Sequence, residues 1–379
     1  MVLGAQSLEN PKPGYYLNAP QQILIRSVNW LGDAIMSLPA IQRLREKYPK
    51  ASLTLLTHEK LAGLWETTTY FDSVLTFAKG ESPWTVGRRL REGNFDTALI
   101  LPNSLRTALE CWHARIPQRV GYSGNLRSPL LTHAIAPRTE TIPMRKRMPI
   151  DIEYRLTNQL EPEIYPATAH HVHQYLHLAA ELGADATPLT PRLNRTTEAS
   201  KFADPGQPHP YIGLIPGAEY GPAKRWPAEH FVEAGKQIIE QHAAHLLLLG
   251  GPRDTETAEE IAEVLPPDHI TNLTGQTSLG ELIDALATCD AILANDSGPM
   301  HLAAALGTPV VVPFGSTSPD LTGPGLPESD DSPHHLLRTN APCSPCFLRE
   351  CPIDSRCLKN ISVERAVDAV KSILQNQAS

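Results

Sequence analysis

The sequence predicts an α/β fold built from two doubly wound, Rossmann-like halves. Three observations carry that expectation: short apolar runs alternate with amphipathic helical runs, the same order starts again after Tyr211, and a proline-rich stretch separates the two series. Alternation of this kind implies parallel strands with helices on both faces. The 379 residues are enough for two cores of ordinary size.

The elements follow in order. Residues 1–22 are polar and proline-containing, without the basic start and apolar centre of a signal peptide. They are expected to be a flexible N-terminal extension on a cytoplasmic protein. Residues 22–28 read as the first strand, and Ile35, Leu38, Ile41 and Leu44 then recur at helical spacing. Residues 52–57 and 97–101 read as further strands. Residues 182–210, with Pro188, Pro191, Pro205, Pro208 and Pro210, read as the linker between halves. The second series runs through a strand from Tyr211, a helix over 228–241, and a strand over 245–249 ending in Gly250, Gly251 and Pro252. A buried strand over 291–294, a short helix closed by Gly307, and a strand over 310–312 follow. A last helical run over 362–374 suits either half. The expected division is an extension at 1–22, an N-terminal domain at 23–187 and a C-terminal domain at 188–379.

Composition excludes some functions. A formal net charge of -8 argues against a general nucleic-acid binder, and no apolar stretch approaches the roughly 20 residues of a membrane span. No G-x-G-x-x-G follows a strand and no G-x-x-x-x-G-K-[ST] occurs, which disfavours a dinucleotide-dependent oxidoreductase. Charge is unevenly placed, however. Residues 104–150 carry Arg106, Arg115, Arg119, Arg127, Arg138, Arg145, Lys146 and Arg147 against only Glu110 and Glu140. That local excess points to an anionic partner on this face, although any single arginine is more readily explained as solvated surface.

Two loops carry the chemistry of the second half. After the strand at Tyr211 comes Pro216-Gly217, then a glycine-rich turn with Lys224 and Arg225 before Trp226-Pro227. Ligands of open α/β sheets bind where strands end in such loops, and paired cations there suit a diphosphate. The second loop holds Asn295, Asp296, Ser297, Gly298, Pro299, Met300 and His301. Ser297 or Gly298 suits an N-cap and Pro299 the first helical position, which leaves free N–H groups and a positive dipole end for phosphate. Asp296 would repel phosphate unless it faces another part of the ligand, such as sugar hydroxyls. In the first half, Asp33 follows the first strand. It is either a helix N-cap or a general base taking a proton from an acceptor hydroxyl, and local sequence does not choose.

Together these segments are close to a known family. The Asn-Trp-Leu-Gly-Asp run ending at Asp33, the run from Pro216 to Pro227, the Asn295–His301 loop and Ser318-Pro-Asp-Leu-Thr322 resemble, in order, the heptosyltransferases of glycosyltransferase family 9. Within that family the Pro216 to Pro227 run is similar to the enzymes that add the second heptose of the lipopolysaccharide core. The resemblance implies a GT-B fold and inverting transfer of L-glycero-D-manno-heptose from ADP-heptose to heptosyl-Kdo2-lipid A. Transfer to the heptose-free core by another family member is the near alternative, and a non-catalytic sugar-nucleotide binding protein the distant one. By motif, Asp33 corresponds to the general base. Glu219, Tyr220, Lys224, Arg225, Asp296, Ser297, Gly298 and His301 correspond to the donor site, and Asn29 to the acceptor side. The anionic acceptor suits Arg106, Arg119 and Arg127 as its contacts. No metal or cofactor is implied for the reaction, and the implied workplace is the cytoplasm or the cytoplasmic face of the inner membrane in peripheral contact. Residues 144–166 match nothing in the family pattern.

The cysteines stand apart. Cys343, Cys346, Cys351 and Cys357 form a C-x2-C-x4-C-x5-C run. Four thiols so close in a cytoplasmic protein favour structural zinc over disulfides, with reduced free thiols as good a reading as zinc. Cys111 and Cys289 read as packing residues.

Overall fold

The computed structural model describes residues 19–66, 68–193, 202, 206, 208–326 and 332–377. The expected N-terminal extension therefore lies almost wholly outside the described residues, as does part of the expected linker. The first half contains β1 (Gln22–Arg26), β2 (Ser52–His58), β3 (Ser73–Phe77), β4 (Thr97–Ile100), β5 (Gln118–Tyr122) and β6 (His133–Ile135), all parallel in the order β3-β2-β1-β4-β5-β6. The second half contains β7 (Tyr211–Ile215), β8 (His245–Leu248), β9 (Ile270–Asn272), β10 (Ala291–Ala294), β11 (Val310–Pro313) and β12 (His335–Leu337). These are also parallel, in the order β12-β11-β10-β7-β8-β9. Read from β9, the second sheet repeats the winding of the first. Each sheet reverses its strand order once, beside β1 and beside β7, and such switch points open a crevice at the strand C-termini.

The central strands are continuous apolar runs because helices cover both faces of a parallel sheet. β4, β7, β8 and β10 are buried at every residue. The expected helix after β1 is two helices, Leu31–Met36 and Leu38–Lys47. Pro39 has no N–H to continue the first ladder, and the Ser37 hydroxyl donates to the Ala34 carbonyl at the break. Ile35, Leu38, Ile41 and Leu44 are all buried, as their spacing requires.

Two further features bear on domain organisation. The C-terminal helix, Val363–Gln377, packs on the second half against the Ala228–His242 helix. A segment within the expected N-terminal domain, by contrast, crosses over. Ile152 is buried in the core of the second half. The Arg147 N–H donates to the Cys346 carbonyl at 2.9 Å, Arg155 Nε to Pro342 O at 2.6 Å, and the Tyr165 N–H to Asp320 Oδ2 at 3.2 Å. The chain returns with the Val172–Ala180 helix, which packs on the Leu38–Lys47 helix. Residues 147–165 thus lie on the C-terminal half, which departs from the sequence expectation of one N-terminal unit at 23–187.

Candidate active site

The two switch points face each other across a cleft of about 920 Å³. The second half supplies most of its wall. Lys224 ends the short turn before Trp226, and its Nζ lies 2.7 Å from Asp296 Oδ2 in a mostly buried ion pair. The Thr317 hydroxyl donates to the same carboxylate oxygen. Asn295 ties the two loops together: its Oδ1 accepts from the Trp226 N–H at 2.9 Å and its Nδ2 donates to Pro216 O at 2.7 Å. Asn295 therefore fixes where Lys224 and Asp296 meet. The Asp296 charge is neutralised by Lys224, which removes the repulsion that an acid beside a phosphate site would otherwise cause.

The Gly298–Leu306 helix starts here, with Ser297 as N-cap in extended conformation and Pro299 in the first turn. The Ser297 hydroxyl makes no capping bond and is buried without a partner. The start of this helix, Ser297 to Pro299, lines the cleft, and a helix N-terminus favours anions. His301 lies one turn in and is buried. Burial pushes its imidazole down to about 4, against the pull of Asp296 and helped by Lys224 and His171, so it is neutral at pH 7. It can hydrogen-bond a ligand but brings no charge. Tyr220 donates to Phe347 O at 2.8 Å, and Lys224 and Arg349 both lie 5.2 Å from its ring centre.

From the first half, Asp33 enters the same cleft. It is the third residue of its helix, and the N-cap is Trp30. Its Oδ1 accepts from the Tyr175 hydroxyl at 3.0 Å and no capping bond is formed. The choice left open by the sequence is settled against a cap. Burial holds the Asp33 carboxyl above the usual carboxylate range, against opposing effects of His171, the Tyr175 hydroxyl and Lys224. A carboxylate raised in this way is a better proton acceptor.

The halves touch through small residues. The Leu31–Met36 helix packs on the Gly298–Leu306 helix. A Cβ on Gly32 would lie 2.7 Å from the His301 ring, and one on Gly298 would lie 2.8 Å from Leu31 Cβ. Each glycine admits a side chain of the other half.

Lys224, Arg225, Glu219, Tyr220, Asp296, Ser297, Gly298, His301 and Asp33 all line the cleft. Asn29, Arg106, Arg119 and Arg127 do not. Two of the three arginines expected at the acceptor are turned inward, and the third is partly exposed. Arg127 is fully buried with Nη1 on the Pro102 carbonyl, and burial pushes it down to about 10. Arg119 donates to Leu130 O at 2.7 Å and to the Ile116 carbonyl. Arg106 pairs with Glu110 at 2.9 Å, beside the buried Arg26–Glu110 pair at 2.7 Å. Arg119 and Arg127 are turned onto internal carbonyls, whereas the Arg106 side chain stays 38% exposed beside its ion pair, distinctions that a local charge count cannot reveal. Asn29 is exposed near Arg26. Sequence reasoning missed His171, Thr317 and Arg349, which the fold brings to the cleft, and Tyr175, which it buries against Asp33, because none carries a signal on its own.

Comparison with known proteins agrees with this geometry. The profile of glycosyltransferase family 9 (heptosyltransferase) matches residues 84–356. The chain belongs to glycosyltransferase family 9. Among family relatives, lipopolysaccharide heptosyltransferase 2 of Escherichia coli is 32% identical over 324 residues, covering 80% of this chain and 85% of that protein. Lipooligosaccharide heptosyltransferase 2 of Haemophilus influenzae is 31% identical over 310 residues, with the same coverage. The solved structure of E. coli ADP-heptose lps heptosyltransferase II superposes with a TM-score of 0.74 at 28% identity, over 95% of this chain and 100% of that one. The two parallel six-stranded sheets facing one cleft are the GT-B arrangement of this family 9 member.

Proposed function

We propose that this family 9 chain is an inverting glycosyltransferase that moves L-glycero-D-manno-heptose from ADP-heptose to the first heptose of the lipopolysaccharide inner core. The observation that supports it best is the opposition across one cleft of a raised carboxylate, Asp33, and the Lys224 and Ser297–Gly298 cluster. Four relatives that carry the name heptosyltransferase 2 align over 80% of the chain at 31–32% identity, whereas a lipopolysaccharide core heptosyltransferase of another name aligns over 82% of it at 23%.

The geometry supports the following chemistry. The diphosphate is the leaving group, and its growing charge is met by Lys224 and by the N–H groups at the start of the Gly298–Leu306 helix. Lys224 exchanges part of its pairing with Asp296 for the phosphate, which turns Asp296 toward the sugar hydroxyls. Asp33 takes the proton of the acceptor hydroxyl as that oxygen attacks the anomeric carbon from the face opposite ADP. Displacement from that face inverts the carbon. Contact of the Leu31–Met36 and Gly298–Leu306 helices closes the cleft and limits hydrolysis of the donor by water. Because the acceptor is lipid-linked, the reaction takes place at the cytoplasmic face of the inner membrane. In support, Met148, Ile150 and Tyr154 are exposed beside Arg145 and Lys146, close to Met144 at the cleft.

The deciding experiment measures ADP release with singly heptosylated acceptor and with acceptor lacking heptose. Turnover is expected only with the former. Faster turnover with the heptose-free acceptor would overturn the assignment in favour of first-heptose transfer.

A further inference from the structure

The cysteine run that the reaction does not use closes on a single spot. Cys343, Cys346, Cys351 and Cys357 are free thiols, three of them buried, and all four line one cavity of about 10 Å³ under the donor loop. That is room for about one water-sized sphere. The electrostatic neighbours of Cys357 are Cys343, Cys346 and Cys351, so the four thiols form one cluster. One backbone N–H already meets a sulfur: that of Ser355 donates to Cys351 Sγ at 3.3 Å.

The backbone is shaped to achieve this. Phe347 and Ser355 have φ of 55° and 58°, in the left-handed region that residues with a side chain rarely occupy. Phe347 directly follows the C-x2-C turn, and Ser355 is the residue whose N–H meets Cys351. Strain of this kind persists where the surroundings over-determine it. Among the described residues no group of three His, Cys, Asp or Glu side chains already stands in metal-holding geometry. Closing on an ion therefore requires the thiols to turn inward about χ1, the one torsion that swings a cysteine Sγ about its backbone.

We propose that Cys343, Cys346, Cys351 and Cys357 form a tetrathiolate site for one soft transition-metal ion, zinc or iron, that holds the donor loop in place. Four sulfur ligands in a tetrahedral cage select zinc or iron over hard cations. On binding, the thiol protons pass to solvent and four metal–sulfur bonds form, with no change of oxidation state. The structural consequence reaches the cleft. Within the same run, Phe347 O accepts from the Tyr220 hydroxyl, Arg349 O accepts from the Ala223 N–H at 2.9 Å, and Phe347 and Arg349 both line the cleft. Ala223 is the residue before Lys224, so the metal fixes the loop that carries the diphosphate lysine. This last consequence rests on the proposed donor site; the metal itself does not.

The test uses the full chain, purified without chelator, and elemental analysis for zinc and iron. About one ion per chain is expected, with Cys346→Ser and Cys357→Ser reduced to a small fraction and Cys289→Ser unchanged. As a guard against misfolding of the variants, cobalt(II) is added to stripped wild-type protein, where the visible absorption of tetrahedral cobalt thiolate is expected. Stripping should also weaken ADP binding while far-ultraviolet circular dichroism is retained. The proposal is overturned if the wild type holds no metal, takes up neither zinc, iron(II) nor cobalt(II), and presents all four thiols to a thiol reagent. Loss of two or four hydrogens by intact mass, marking disulfides, would overturn it equally. Metal present with ADP binding unchanged by stripping would keep the site and refute its role in the donor loop.

Discussion

At the residue scale, the cleft depends on two groups whose protonation and pairing can be read separately. Asp33→Asn keeps the size of the side chain and cannot accept the acceptor proton. Turnover is expected to fall roughly 10²–10⁴-fold with ADP affinity unchanged. Near-normal turnover would remove Asp33 from the chemistry. The Tyr175 hydroxyl favours the ionised form of Asp33. Tyr175→Phe should therefore raise the Asp33 pKa further and move the acid limb of the kcat/KM profile to higher pH. A limb that stays in place or moves down would show that Asp33 does not control it. Lys224→Ala removes the diphosphate contact but also strands Asp296, which is 4% exposed. A loss of roughly 10²–10³-fold in turnover is expected for the single variant. Lys224→Ala combined with Asp296→Asn separates the causes: if stranding alone were responsible, the double variant would recover.

At the element scale, the junction of the Leu31–Met36 and Gly298–Leu306 helices sets the distance between the two catalytic walls. Gly32 and Gly298 let the two helices approach, since a methyl group on either meets the opposite half below 3 Å. Gly32→Ala pushes on the His301 ring and shifts Asp33, one residue on. A displacement of about 1 Å can cost roughly 10²-fold in rate. The expected result is a loss of turnover of that order with ADP binding to the C-terminal half preserved, measured by kinetics and calorimetry side by side. Full activity of the variant would mean that this packing is not the reactive arrangement. The same scale explains the strands absent from the sequence reading. β3, β6, β9 and β12 are exposed or half-buried along most of their length, and β5 opens on the half-buried Gln118 and Arg119, so no continuous apolar run marks any of the five. Their pairing comes from the neighbouring strand rather than from their own composition.

At the scale of the whole molecule, the buried histidines make stability depend on pH. Burial lowers His170 to about 3 and His301 and His334 to about 4. An unfolded imidazole titrates near 6.5. Between about pH 6.5 and 4 the unfolded chain binds protons that the folded chain does not, so this stability is fully present above that window and is lost as pH falls through it. Asp33, raised by burial, acts in the opposite sense and is outnumbered. Melting temperature is therefore expected to decline from about pH 6.5 downward in thermal scans. A flat profile to about pH 4 would contradict neutral, buried histidines.

The sequence by itself determined the two α/β halves, the loops that end β1, β7 and β10, and the motif residues that line the cleft. These are local matters: apolar runs mark buried strands, and glycine, proline and capping residues mark the turns between strand and helix. Only the tertiary structure decided the rest. It placed Asp33 at the third helical position against Tyr175, brought His171 and Arg349 to the cleft, and turned Arg119 and Arg127 inward onto backbone carbonyls. It also carried residues 147–165 across to the C-terminal half and gathered four cysteines at one cavity. Each of these outcomes is a pairing between segments far apart in the chain. A partner's identity is not encoded in the composition of either segment alone, so it becomes legible only when the sheets are wound and packed together.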